Sequence, residues 1–196
     1  MKKVLLLLAD GFETYEASVF IDVIGWNQVD GDKSTQLFSC GLRREIKSSF
    51  NQRFLVDYLV ADINPDEFDA LAIPGGFGEF DFYKDAYQED FLRLIRMFND
   101  GNKIIASVCS GALPIACSGV LINRRGTTYN MTAIRQEELA SYKVNVINEP
   151  IVVDGNVITS WNPSTAMDVA FLLLERLTSN EQSTFIKRIM GFKLTQ

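Results

Sequence analysis

The chain has 196 residues, of which 47% are hydrophobic and 22% are charged, and its formal net charge is −6. This length and composition predict one globular domain over residues 1–196. The acidic balance argues against nucleic acid and anionic membrane surfaces as partners. No histidine occurs anywhere in the sequence, which excludes mechanisms with an imidazole as base, proton shuttle or metal ligand.

In the first half of the chain, apolar runs of strand length are followed by a segment whose apolar residues have helical spacing. Residues 3–9 form a continuous apolar run of strand length, followed over 13–29 by apolar residues at helical intervals. A second strand is predicted at 35–40 and a third, buried strand at 69–73. Residues 42–60, between the second and third strands, are typical of a short excursion of antiparallel strands away from the main sheet rather than of a helix.

The second half continues the alternation. We expect helices at 85–99, from Cys109 to about 117, and at 133–140, 164–177 and 181–190, with strands at 103–108, 126–129, 143–147, 151–153 and 157–160. The pattern indicates an α/β fold with helices on both faces of a mainly parallel sheet. In such folds, ligands gather at the carboxyl ends of the strands.

Cys109 is the most informative residue because it falls between an apolar strand and a helical stretch. At such a turn the sulfur projects from a tight bend, close to free N–H groups at the helix start. Those groups favour the thiolate, the form that attacks electrophiles and is oxidised. The sequence therefore predicts a reactive cysteine; the alternative is a buried structural cysteine.

Two further segments lie at predicted strand ends. Gly75 and Gly76 allow close backbone approach, so the N–H groups of Gly76 and Ser110 would form an oxyanion hole or a cradle for a sulfinate. Glu16, near the start of the first helix, would have a raised pKa if it faced a thiolate, and would then donate to the sulfur. The alternatives are a simple loop turn for the glycines and a helix-start charge for Glu16.

Cys40 and Cys117 are predicted to be structural. Three cysteines without Cys-x-x-Cys spacing indicate neither a disulfide framework nor a zinc site, and they favour a reducing cytoplasm. No metal-ligand cluster and no dinucleotide or phosphate fingerprint is visible, so no cofactor is predicted.

Several segments together resemble the ThiJ/PfpI superfamily, which has deglycase-like, chaperone-like and protease-like members. The matching segments are LLLADGFETYEASVFIDV (6–23), ALAIPGGFGEF (70–80), IIASVCSGA (104–112), GTTY (126–129) and VITSWNPSTAMDVAFLLLERL (157–177). The resemblance implies a flavodoxin-like three-layer sandwich and a homodimer. It also implies a nucleophilic or redox-active Cys109, a protonated carboxylic acid at Glu16, and oxyanion donors at Gly76 and Ser110.

The chain departs from the superfamily at three positions. Ser110 stands where protease-like members carry a histidine, and Tyr129 stands where deglycase-like members do. Because no Cys-His pair is possible, peptide hydrolysis is not favoured. Trp161 replaces an arginine of some relatives, which puts an anion-binding pocket in doubt. Tyr129 and Trp161 would make the pocket aromatic or would simply pack, and Glu13 is near enough to touch a substrate.

Three functions fit these residues. The first is glyoxalase- or deglycase-like chemistry, in which Cys109 adds to a small reactive carbonyl such as methylglyoxal and Glu16 shuttles the proton. The second is an oxidative-stress sensor or chaperone-like protein, in which an oxidant converts Cys109 to sulfenate or sulfinate beside Glu16. The third is a binding or interaction protein that has kept the fold without the chemistry.

Overall fold

The apolar runs form the strands of one central sheet in the computed structural model, which describes residues 1–193. The strands are β1 (Lys2–Leu8), β2 (Thr35–Gly41), β3 (Glu45–Lys47), β4 (Arg53–Leu55), β5 (Tyr58–Leu59), β6 (Ala70–Ile73), β7 (Ile104–Ser107), β8 (Arg125–Gly126), β9 (Asn145–Val146), β10 (Ile151–Asp154) and β11 (Val157–Ser160). The α-helices are α1 (Thr14–Val29), α2 (Phe82–Ala86), α3 (Glu89–Asp100), α4 (Ala112–Cys117), α5 (Ala133–Ser141), α6 (Ala166–Leu177) and α7 (Asn180–Ile189).

The central sheet has seven strands in the order β10-β11-β7-β6-β1-β2-β5. Neighbours are parallel except β10 and β11, which form the predicted hairpin around Asp154-Gly155-Asn156. Residues 4–8 of β1 are at most 2% exposed, because helices cover the strand on both faces. A strand in this position needs a continuous apolar sequence rather than an alternating one.

Helices cover both faces of the sheet. Helices α1, α6 and α7 pack together on one side, and α3, α4 and α5 pack on the other. Helix α3 buries Phe91, Leu94, Ile95 and Phe98, which recur at helical spacing. The expected α/β class and the flavodoxin-like sandwich are therefore confirmed.

The strand order creates a crevice at one edge of the sheet. The chain leaves β1 through α1 towards β2, whereas it leaves β6 through α3 towards β7, on the opposite side and the opposite face. Ligand sites of open α/β sheets lie at such a switch point, outside the carboxyl ends of the strands. The segments that follow β1, β6 and β7 meet there.

Some boundaries differ from the sequence-based prediction. The predicted excursion over 42–60 contains the antiparallel pair β3–β4, but β5 instead pairs in parallel with β2 and extends the central sheet. The strand predicted at 126–129 ends at Gly126, because Thr127 N–H bonds the Thr159 hydroxyl and the Thr128 hydroxyl bonds a loop carbonyl. Residues 194–196, the end of the predicted domain, lie outside the described residues.

Two kinds of feature are absent from residues 1–193. No α-helix in this part of the chain is long and apolar enough to cross a membrane. Over the same residues, no group of three or more histidine, cysteine, aspartate or glutamate side chains is arranged to hold a metal ion.

Candidate functional site

Cys109 occupies the predicted bend directly after β7. Its φ is +56°, in the left-handed region that residues other than glycine rarely adopt. The conformation costs about 1–3 kcal/mol and persists only where the surroundings enforce it. Here the Thr128 hydroxyl donates to the Cys109 carbonyl at 2.8 Å, and the sulfur-bearing side chain lines a cavity. The strand-to-helix bend predicted from the sequence is confirmed.

Gly75 brings the β6 loop into contact with both of the other predicted site segments. Its N–H donates to Oε2 of Glu16 at 2.7 Å. A Cβ atom on Gly75 would lie 2.8 Å from that oxygen and 2.7 Å from Oγ of Ser110, closer than real Cβ atoms come. Glycine is therefore required at this position because no side chain fits between Glu16 and Ser110.

Glu16 lies within the first turn of α1, and its side chain is fully buried beside the Cys109 thiol. Burial raises its pKa to about 8, with a smaller contribution from the negative charge of Glu13, while the Gly75 N–H opposes the rise. A carboxyl group with this pKa carries its proton at neutral pH. Its second oxygen, Oε1, has no hydrogen-bond partner among residues 1–193.

Glu13 has two roles in the site. Its carboxylate caps α1 by accepting the N–H groups of Tyr15 and Glu16, at 3.4 and 3.2 Å. Glu13 also lines the cavity, where a bound molecule would meet it. The Glu13 side chain therefore caps the helix and also borders the cavity where the sequence analysis expected it to reach a substrate.

The acidity of the thiol differs from the sequence-based expectation. Burial and the negative charge of an ionised Glu16 raise the pKa of Cys109 well above its ordinary value, whereas the Ser110 N–H lowers it. The expected stabilisation by free N–H groups is thus present, but burial outweighs it. Two buried acids this close together hold at most one negative charge near neutral pH. A protonated Glu16 carries a hydroxyl beside the sulfur that is available as a hydrogen-bond donor.

One of the two expected oxyanion donors, the Gly76 N–H, is already engaged. Gly76 N–H donates to Oγ of Ser110 at 2.9 Å, and the same hydroxyl lies 2.9 Å from the Gly76 carbonyl, to which it donates. The Ser110 N–H is directed at the Cys109 sulfur. The serine that replaces the histidine of protease-like relatives thus ties the β6 loop to the cysteine bend.

A cavity of about 440 Å³ opens above the cysteine. It is lined by Glu13, Glu16, Gly76, Phe77, Gly78, Glu79, Tyr83, Cys109, Ser110, Tyr129, Thr132, Ile134, Arg135 and Pro163. Tyr129 and Glu13 therefore lie where the sequence suggested. Gly75 lies behind Glu16 rather than in the cavity wall, and Trp161 does not line the wall either. The backbone of Trp161 instead bonds the Pro150 carbonyl at the end of β11.

Among the wall residues that sequence reasoning missed are Tyr83 on α2 and Arg135 on α5. The Arg135 guanidinium lies 4.8 Å from the centre of the Tyr83 ring and bonds Glu138 at 2.6 Å. Arg135 thus supplies a positive charge to the pocket. The sequence had left such a charge in doubt because Trp161 stands where some relatives have an arginine. The signal in the sequence was weak, because neither residue belongs to a motif and α2 has only five residues.

The remaining cysteines lie in different surroundings, and all three thiols are free. Cys40 is fully buried in β2, where burial raises its pKa, in agreement with a structural role. Cys117 ends α4 and is half-buried outside the cavity.

Comparisons with known sequences and structures give matches over most of the chain. The model of the DJ-1/PfpI family matches residues 2–176. A protein named deglycase from Pyrococcus abyssi is 30% identical over 161 residues, covering 82% of this chain and 90% of the relative. The crystal structure of Drosophila melanogaster DJ-1beta superposes with a TM-score of 0.85 at 25% identity, covering 98% of this chain and 99% of that one.

A plant relative is longer than this chain. Protein DJ-1 homolog B of Arabidopsis thaliana is 27% identical over 182 residues, which are 93% of this chain but 40% of the relative. The chain thus spans less than half the length of that protein. With the family model matching most of the chain, and with the fold and the cysteine bend in place, the chain belongs to the DJ-1/PfpI family.

Proposed function

We propose that the protein is a cysteine-dependent enzyme acting on small reactive carbonyls, with glyoxalase- or deglycase-like chemistry. The observation that carries this proposal is the contact between Cys109 and a fully buried, protonated Glu16 at the base of an open cavity. A thiol and a carboxylic acid suffice for this chemistry, so the absence of histidine does not exclude it. The relative named deglycase supports the same substrate class.

The first step is addition of sulfur to the aldehyde. The Cys109 sulfur forms a bond to the aldehyde carbon, the C=O π bond breaks, and its electron pair passes to oxygen. A proton from the pair of acids reaches that oxygen and gives a hemithioacetal. An acid with a pKa of about 8 is suited to this transfer, because it gives and regains a proton easily near neutral pH.

The second step uses Glu16 as a base. Once ionised, its carboxylate removes the hydrogen from the former aldehyde carbon as a proton and returns a proton to the neighbouring carbon. The hydroxyl proton of the hemithioacetal passes to the oxygen of that neighbouring carbon. The first carbon is thereby oxidised to a thioester while the second is reduced to an alcohol. Water then cleaves the thioester, so methylglyoxal and water give lactate, and no external oxidant or reductant is consumed.

The pKa of Glu16 predicts the pH dependence of this reaction. If the protonated carboxyl is the required acid, kcat/KM falls as the pH rises through about 8. The measurement is methylglyoxal turnover from pH 5 to pH 9.5 with the wild type. A rate that keeps rising through pH 9 would contradict the acid role of Glu16.

A redox sensor is the second candidate, and one observation favours it. Oε1 of Glu16 is buried without a partner in the described part of the chain, and it lies on the side chain that contacts the thiol. An oxygen added to the sulfur would accept a hydrogen bond from the protonated carboxyl and relieve that cost.

We further infer that two copies of the chain associate. Helix α1 exposes Tyr15, Trp26 and Val29, which share one outer face, and Val29 is 68% exposed. A second copy would remove this apolar stripe from water. Light scattering of wild type and Trp26→Glu tests the association, which the glutamate is expected to weaken.

Because the cysteines are free thiols, we propose that the protein works in a reducing compartment such as the cytoplasm.

One experiment separates the enzyme from the sensor. Methylglyoxal turnover is measured for wild type, Cys109→Ala and Glu16→Gln, and intact mass is recorded after mild peroxide treatment. Turnover that both substitutions abolish supports the enzyme. No turnover, with a gain of one or two oxygens that Cys109→Ala prevents, would replace it with the sensor.

A further inference from the structure

A carbonyl oxygen bound at Cys109 meets few free hydrogen-bond donors on the backbone side of the cavity. Gly76 N–H is taken by the Ser110 hydroxyl at 2.9 Å, and Ser110 N–H is directed at the sulfur. The Ser110 hydroxyl gives its own proton to the Gly76 carbonyl. Addition of sulfur creates negative charge on that oxygen, and such charge needs a positioned donor. Another wall of the cavity offers a place for a second donor to this oxygen.

Tyr83 supplies a hydroxyl in the right place. Its side chain lines the same cavity, and the hydroxyl lies close to the Ser110 side chain and the Cys109 sulfur. The oxygen is buried, yet it makes no hydrogen bond of normal geometry to any residue within 1–193. A buried polar group left in this state is unfavourable, and a molecule that enters the cavity beside it would offer the missing partner.

The surroundings hold the Tyr83 ring in place and keep its hydroxyl protonated. The Arg135 guanidinium lies 4.8 Å from the ring centre on one side, and the Tyr87 ring lies 5.2 Å away. Burial raises the pKa of Tyr83 to about 12, although the positive charge of Arg135 opposes the rise. The group therefore remains a donor throughout the neutral range, and the neighbouring cation strengthens it as a donor.

We propose that Tyr83 is a catalytic residue, whose hydroxyl donates a hydrogen bond to the substrate oxygen while Cys109 adds to the carbonyl. This inference rests on the proposed carbonyl chemistry. The sulfur–carbon bond forms as the C=O π bond breaks, and the electron pair moves to oxygen, where the Tyr83 hydroxyl stabilises it. Tyr83 keeps its own proton, and the proton that finally reaches the oxygen comes from the Cys109–Glu16 pair.

The test is Tyr83→Phe, which removes only the hydroxyl, with Tyr87→Phe as the matched control. Tyr87 is adjacent, but its hydroxyl donates to Glu138 at 2.7 Å and it does not line the cavity. Two quantities are measured for each protein. One is kcat/KM for methylglyoxal, and the other is the methylglyoxal concentration that half-protects Cys109 from alkylation by iodoacetamide.

Tyr83→Phe is expected to lower kcat/KM by about 10²–10³-fold, as loss of an oxyanion donor does. It is also expected to raise the half-protecting concentration at least about tenfold, since the adduct loses a hydrogen bond to a charged oxygen. Alkylation without methylglyoxal involves no oxyanion, so its rate should stay within about twofold. Tyr87→Phe should change kcat/KM and half-protection by less than about threefold.

The two readouts separate this inference from the proposed function. If the wild type is protected but shows no turnover, the enzyme proposal fails, and loss of protection in Tyr83→Phe would still support the hydroxyl donor. If Tyr83→Phe keeps wild-type protection, the role of Tyr83 is wrong whatever the turnover. An equal loss of kcat/KM and protection in Tyr87→Phe would also overturn the role of Tyr83. A wild type that methylglyoxal does not protect would overturn both this role and the enzyme proposal.

Discussion

Cys40 is fully buried within the central sheet and Cys109 is half-buried at its carboxyl edge, and burial raises the pKa of each thiol. Cys40 lies within β2 among apolar side chains. Cys109 lies just beyond β7, where the Ser110 N–H, the Glu16 carboxyl and an open cavity meet the sulfur. Burial alone therefore would not distinguish the cysteine that we propose to be reactive from a structural one. The difference is the position at the carboxyl edge, where backbone and acid groups from other strands converge.

Removal of each thiol gives the largest expected contrast. Cys109→Ala should lower methylglyoxal turnover by more than about 10³-fold, since a nucleophile has no substitute. Cys40→Ala should keep turnover but destabilise the fold by about 1 kcal/mol, because it leaves a small void in the sheet. Turnover and urea unfolding of both variants check this. Comparable turnover losses in both would erase the contrast between the two thiols.

Gly75→Ala tests whether convergence of the loops is what activates Cys109. The new Cβ would lie within 2.8 Å of Oε2 of Glu16 and displace that group. We expect turnover to fall by about 10²-fold, as it does when a catalytic group moves by about 1 Å. Gly25→Ala is the matched control, because a Cβ atom at this position of α1 would meet nothing within 4 Å beyond its own helix backbone. It should keep turnover and add about 0.5–1 kcal/mol of stability.

Glu16→Gln measures what the buried acid costs the fold. The native pKa of about 8 exceeds the unfolded value of 4.5, so the native state binds the proton more tightly. The stability associated with Glu16 is fully present below pH 4.5 and is lost as the pH rises through about 8. At pH 7 the loss is about 3 kcal/mol.

Glutamine has no proton to lose and keeps an oxygen for the Gly75 N–H. The variant should therefore gain stability over the wild type between pH 5 and pH 7.5, and urea unfolding at both pH values measures this difference. A stability difference that does not change with pH would mean that Glu16 is already ionised in the fold.

Thr128→Val is expected to have the smallest effect. The threonine hydroxyl donates to the Cys109 carbonyl at 2.8 Å and helps to hold the bend at φ +56°. Loss of this bond should cost about 1 kcal/mol of stability and a few-fold in the rate of alkylation by iodoacetamide. Thr14→Val is the control, because its hydroxyl is buried without a partner in the described residues. It should not slow alkylation; equal slowing in both variants would show that the Thr128 bond does not matter.

Much of the sheet and part of the site follow from the sequence. The run at 3–9 predicts β1 because a strand covered on both faces needs apolar residues throughout. Cys109, Glu16 and Gly75 follow strands or begin a helix at one sheet edge, so the fold class alone brings them close. Their contacts in the structure agree with that reasoning.

The other features of the site depend on how deeply each side chain is buried and on how the helices pack around it, which cannot be deduced from a single sequence. The direction of the Cys109 pKa depends on how far the thiol is buried, and the sequence indicated only the favourable N–H groups. Tyr83 lies on a five-residue helix with no periodic signal, and Arg135 reaches the cavity only through the packing of α5. The Ser110 hydroxyl accepts the Gly76 N–H, which is therefore not free to bind a substrate oxygen. The spacing of the motifs does not reveal this local hydrogen bond.

The left-handed backbone of Cys109 also bears on how the chain can change under selection. Glycine adopts this conformation freely, and asparagine adopts it more readily than cysteine. Selection for thermal stability alone, with no demand on activity, is therefore expected to replace Cys109 before it replaces residues of β7. A lineage that keeps cysteine at this bend has retained reactivity at the expense of stability.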